Sequence, residues 1–170
     1  MEGALTEQPI LLCYDRSAAA RRAIERAGIL LGARQALVLH VWGSAAPDAL
    51  RRLPKDVGEV ADIVIEELDA NSLKVAEEVA GEGVELARRA GFMPRAILER
   101  VGERWAGHQE TRVWEAIVRV AEEHDSAAVV IGSRGVSGLQ SALLGSVSYG
   151  LVHSCRRPLV LFSTEVDDHP

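Results

Sequence analysis

Between Ala127 and Ser154 the chain passes from an apolar segment, through a glycine-rich loop, into a segment able to form a helix. Ala127-Ala128-Val129-Val130 is a short, partly β-branched run, the pattern of a fully buried parallel strand. The loop follows from Ile131 to Ser148 (IGSRGVSGLQSALLGSVS), and Tyr149 to Ser154 can continue as helix. Strand, glycine loop and helix start together make an anion site. Glycines let backbone N–H groups approach a phosphate, and a helix N-terminus adds unpaired donors and partial positive charge. Gly132, Gly135 and Gly145 are the glycines read in this way, against the alternative of a tight turn with no ligand. Ser146 and Ser148 bring hydroxyls that either cap the helix or meet the ligand.

The charge pattern points the same way. The chain is acidic, with a formal net charge of −6, yet no Asp or Glu occurs from Ser126 through Thr164. Arg134, Arg156 and Arg157 make that tract a locally basic island. The overall negative charge argues against a general nucleic-acid role, which needs a basic surface. No apolar run nears membrane-spanning length, and Met1 to Gln8 lacks the basic-then-apolar order of a secretion signal. A cytoplasmic location is therefore expected, with no membrane partner. Cys13 and Cys155 form no CxxC pair and read as free thiols, and the five histidines show no metal-ligand spacing, so no intrinsic metal site is expected.

Taken in order, the chain alternates strand and helix signals. Pro9–Tyr14 reads as the first strand, and Ser17 as the N-cap of a helix reaching Gly32. Ala36–Trp42 is the second strand, followed by a loop over residues 43–58 that contains Pro47 and Pro54. A long helix is predicted over Glu59–Ala90, with Val60, Val64, Leu68, Val75 and Val79 on one stripe, Gly81 and Gly83 weakening its middle, and Gly91 ending it. Ala96–Val101 is a third strand, less apolar and so at an edge. A helix over Arg112–His124 should bury Val113, Ile117 and Val120 or Ala121, and Pro158–Ser163 is the fifth strand. This β-α-β order specifies one open, mainly parallel sheet with helices on both faces.

Gly132-x2-Gly135-x9-Gly145-Ser146 resembles the G-x2-G-x9-G-[ST] motif of the universal stress protein family, in its ATP-binding branch. The resemblance extends through Arg157-Pro158-Leu159-Val160-Leu161-Phe162. It implies one domain over residues 1–170, with 1–8 and 165–170 as loose tails, and a Rossmann-like, adenine nucleotide alpha hydrolase-like sheet of strand order 3-2-1-4-5. That order sets strands one and four side by side, with Asp15 and Gly132 at the two strand ends where open α/β sheets bind ligands. The resemblance further implies ATP with Mg²⁺ as ligand, held by Asp15, Val41, Ile131, Gly132, Arg134, Gly135, Gly145, Ser146, Val147 and Ser148. Val41 would offer its backbone to the adenine edge, Ile131 would wall the base, and Asp15 would lie near the ribose or a divalent metal. Read from its residue type alone, Asp15 equally suits an Asx turn with Ser17, and Arg134 equally suits solvent. Trp42 is the tryptophan best placed to border the cleft. Homodimerisation is implied through the fifth strand, by Leu159, Val160, Leu161 and Phe162.

Other enzyme classes lack their signatures. Asp15-Arg16-Ser17-Ala18 holds no glycine, against a dinucleotide dehydrogenase, and likewise offers no glycine/serine loop for an adenylating ATP-pyrophosphatase. The loop has no lysine for GxxxxGK[ST]. The phosphoreceiver pattern is missing from the third and fifth strand ends. With no group to orient a water, slow ATP turnover or autophosphorylation on Ser146 or Ser148 is the most the loop offers, and no catalytic residue is assigned. A regulatory domain acting through nucleotide-dependent conformation or partner choice is the leading expectation. The alternatives are a non-nucleotide dimeric scaffold and an AMP- or cyclic-AMP-binding variant.

Overall fold

The computed structural model of the protein describes residues 8–46, 58–101, 113–133 and 145–163. In chain order these contain β1 (Ile10–Cys13), α1 (Ala18–Leu31), β2 (Gln35–Trp42), α2 (Gly58–Arg89), β3 (Met93–Arg100), α3 (Val113–Glu123), β4 (Ala128–Ser133), α4 (Ser146–Ser154) and β5 (Leu159–Ser163). The strands form one sheet in the order β3-β2-β1-β4-β5, and every neighbouring pair is parallel. The expected strand order is the observed one. Ile10 lies between Ala36 and Ala128, and Leu12 between Val38 and Val130, so β1 is the centre.

Side-chain alternation along the strands divides the core in two. Ile10, Leu12 and Tyr14 pack with Val38 and Val130 beneath α1 and α2, alongside Ile24, Val79 and Leu86. Leu11, Leu37, Leu39, Val129 and Ile131 pack beneath α3 and α4, with Ile117 and Leu151. Both faces are covered, which explains why the central strands are uninterrupted apolar runs.

The helix ends follow local chemistry. Ser17 caps α1 by accepting from the Ala20 amide at 3.1 Å, and Gly32 closes it at φ +68°. Gly91 (φ +95°) closes α2, with Gly91 N–H donating to Arg88 and Phe92 N–H to Ala87, the paired bonds of a Schellman ending. Three expectations are corrected. The buried side chains of α2 are Ala76, Val79, Ala80, Leu86 and Ala87; of the expected stripe Val79 is buried, Val64 and Leu68 are half-buried and Val75 is exposed. Gly83 is a contact position within an unbroken helix: a Cβ there would lie 2.7 Å from both Tyr14 Cδ1 and Val38 Cγ1. β3 begins at Met93 and contains Pro94, which an edge strand accommodates because only one side of its ladder is bonded.

Candidate functional site

The carboxyl ends of β1 and β4 adjoin, and a cleft of about 330 Å³ opens over them. β1 contributes Cys13, Tyr14 and Asp15, β4 contributes Ile131 and Gly132, and Leu39 and Val41 come from β2. Gly145, Ser146, Val147 and Ser148, at the start of α4, form the opposite wall. Eight of the residues anticipated from sequence thus line one cleft, while Arg134 and Gly135 lie outside the described residues. Sequence reasoning missed Leu39, Val113 and Ile117, which extend the apolar wall. Val113 and Ile117 are four apart on one helix face, a spacing that reads as core; Val113 instead sits at the rim, partly exposed.

Alternation decides which neighbours enter. Val41 faces the cleft, so Trp42 faces away, and its ring lies 5.3 Å from the Arg100 guanidinium. Trp42 therefore does not border the cleft among its described lining, contrary to expectation. Arg100 in turn donates to Asp69 at 2.7 Å, and Ser44 donates to the same carboxylate. Ser44 first and Arg100 second hold the Asp69 carboxyl below its ordinary range.

The polar end of the cleft is built from two turns. Asp15 accepts from the Ser17 amide at 3.0 Å, the Asx-turn arrangement, and also lines the cleft. The N-cap of α4 is Gly145, with extended backbone and no side-chain hydrogen bond at the cap. Neither serine is the N-cap: Ser146 is the first residue of the helix and Ser148 the third. Ser148 is only 4% exposed. The buried Ser148 hydroxyl and the first amides of α4, where Gly145 brings no capping side chain, put hydrogen-bond donors at this end of the cleft.

Gly132 has a different duty from Gly145. A Cβ on Gly132 would overlap the Ala19 carbonyl and lie 2.7 Å from the Ala20 nitrogen, whereas a Cβ on Gly145 would meet nothing within 4 Å. The first is required by α1 packing onto β4, and the second leaves space over the cleft. Cys13, between the two walls, is a protonated thiol: burial first, then the charges of Asp15 and Cys155, push it up to about 12.

The profile of the universal stress protein family matches residues 7–106 and 109–163. The chain belongs to this family. Among solved universal stress proteins, one from Archaeoglobus fulgidus DSM 4304 is 25% identical, with a TM-score of 0.62, matching 92% of this chain and 50% of that one. A second, from Archaeoglobus fulgidus in complex with dAMP, is 21% identical, with a TM-score of 0.55 over 92% of this chain and 98% of that one. A universal stress protein in complex with cAMP is 18% identical, with a TM-score of 0.54 over 92% and 97%. No curated protein sequence matches the chain. Among the described residues, no helix is long and apolar enough to cross a membrane.

Proposed function

We propose that the cleft binds an adenine nucleotide, ATP with Mg²⁺, and that the chain is a regulatory domain whose conformation or choice of partner follows nucleotide occupancy. The observation that carries the reading is the pairing of an apolar slot (Leu39, Val41, Ile117, Ile131) with a polar end (Asp15, Gly145, Ser146, Ser148) in one cavity of about 330 Å³. A flat base fits the first and a phosphorylated ribose the second. Val41 backbone and Ile131 would hold the base, and Asp15 the ribose or a phosphate-bound Mg²⁺. Gly132, Arg134, Gly135, Gly145, Ser146, Val147 and Ser148 would surround the phosphates. Asp15 is the nearest carboxylate but lies in an Asx turn, so rapid hydrolysis is not part of the reading.

The solved relatives with dAMP and cAMP favour a second reading, in which a monophosphate is the preferred ligand. Calorimetric titration with ATP, ADP, AMP and cyclic AMP, with and without Mg²⁺, separates the two. Micromolar ATP binding strengthened by Mg²⁺ supports the first, and tighter AMP or cyclic AMP binding supports the second. No binding by any of them returns the chain to a scaffold role.

The reading includes a cytoplasmic homodimer through β5. The two sheet edges differ: β3 carries Arg95, Glu99 and Arg100, whereas β5 carries Leu159, Val160, Leu161 and Phe162 without a charge. Charge on an edge strand discourages pairing with another chain, and an apolar edge invites it.

A further inference from the structure

We propose that Glu82, on α2, is a positioning residue for the cleft: through Arg16 it holds the Tyr14–Ser17 turn in the shape that presents Asp15 to a bound nucleotide. What the turn serves rests on the nucleotide reading above; how the turn is held rests on geometry alone.

Arg16 has φ +64°, the left-handed region. Among the described residues only one other non-glycine, Asp125, has positive φ, and Asp tolerates that region far better than Arg does. Arginine offers no local compensation there, so the turn needs an outside restraint. Glu82 supplies it, accepting from Arg16 Nε at 2.8 Å and from its terminal nitrogen at 2.5 Å, a bidentate fork that fixes the guanidinium in direction as well as distance. Arg21 approaches the same carboxylate at 3.8 Å.

The rest of the turn is tied as well. The Tyr14 amide donates to the Leu39 carbonyl at 2.9 Å, and His40 Nδ1–H donates to the Tyr14 carbonyl at 2.9 Å. Asp15 accepts from Ser17 N–H. Arg16 is therefore the one residue of the turn whose backbone is strained, and its side chain leads to α2. The reach is possible because Gly83, next to Glu82, lets α2 lie on the Tyr14 ring.

The side chains of the pair are 38% and 44% exposed. Solvent screens such a pair, so its loss changes overall stability little. Its effect is local, on how often the turn is in its left-handed shape. The apparent affinity of a ligand falls in proportion to the competent fraction.

The test compares wild type, Glu82→Gln, Arg16→Gly and the double variant. Each is examined by thermal unfolding, by titration with Mg²⁺-ATP, and by hydrogen exchange at the Ser17 amide, which reports the turn directly. Glu82→Gln should keep its fold and Tm, speed Ser17 exchange, and weaken ATP about 3- to 10-fold, matching a competent turn reduced to that fraction. Arg16→Gly should bind close to wild type, because glycine takes the left-handed shape unaided. In that background Glu82→Gln should have no further effect.

An equal loss from Glu82→Gln in both backgrounds, or unchanged Ser17 exchange, would overturn the proposal. A wild type that binds none of ATP, ADP, AMP and cyclic AMP overturns the nucleotide reading by itself. In that event, faster Ser17 exchange in Glu82→Gln still upholds the clamp on the turn, and unchanged exchange overturns that too.

Discussion

Gly132 on β4 lies against the backbone of Ala19 on α1 with no room for a Cβ between them. The obstructing atoms are backbone and cannot swing aside. Gly132→Ala should therefore force α1 away from the sheet and destabilise the protein by about 1–3 kcal/mol, the usual range for overpacking. A urea midpoint unchanged from wild type would contradict this. Any loss of ligand binding in that variant reports unfolding as much as the site.

Gly145 separates the two effects. Asp is a favoured N-cap and its charge suits a helix N-terminus, so Gly145→Asp should leave stability equal or raised by a few tenths of a kcal/mol. The same carboxylate would oppose a bound phosphate, and ATP affinity should fall at least about tenfold, or ~1.4 kcal/mol. Thermal unfolding and calorimetry on one preparation check both signs.

Gly150 on α4 faces Trp114 on α3, and a Cβ there would overlap the indole ring. Gly150→Ala should displace the ring, shift tryptophan emission, and lower stability by about 1–3 kcal/mol. Emission and urea midpoint both at wild-type values would show that α3 and α4 are packed differently.

The acid limb of stability should reflect three carboxyls. Arg16 holds Glu82 below its ordinary range, as Ser44 and Arg100 hold Asp69, and Gln8 and Arg157 hold Asp125. A depressed folded-state pKa contributes stability that is present above the unfolded value, 4.5 for Glu and 3.8 for Asp, and lost as pH falls through the folded one. The urea midpoint should be level down to about pH 5 and decline only shallowly below it, because solvent screens these exposed pairs. Cys13 acts in the opposite sense. Its thiol is raised from 9.0 to about 12, so stability present below pH 9 is lost as the unfolded thiol ionises above it. Relative to Cys13→Ala, wild type should lose stability between those values. At neutral pH, alkylation of Cys13 in the folded protein should be slow.

The apolar edge strand β5 offers a test of self-association. Leu161→Lys places charge on an already exposed position of that strand. Sedimentation should show a dimer for wild type at micromolar concentration and a monomer for the variant, with little change in Tm. A monomeric wild type would remove the dimer from the proposed function.

The order of elements, the caps at Ser17, Gly32 and Gly91, and the meeting of Asp15 with the Gly145–Ser148 segment were all legible in the sequence. They depend on signals that are local: runs of apolar residues, cap chemistry, and the rule that parallel strands end at one side of the sheet. Packing was not legible in the same way. Gly132 and Gly145 look alike in a motif, yet one is a packing contact and the other an open wall, because only the position of α1 tells them apart. Val41 enters the cleft and Trp42 leaves it through one step of strand alternation. The pairing of Arg16 with Glu82 joins residues 66 apart, and it exists because Gly83 lets a helix approach a strand end. The sequence by itself determined which segments form strands and helices, and where the cleft would open. Only the tertiary structure decided which side chains do the holding, because close approach is a property of surfaces brought together from distant parts of the chain.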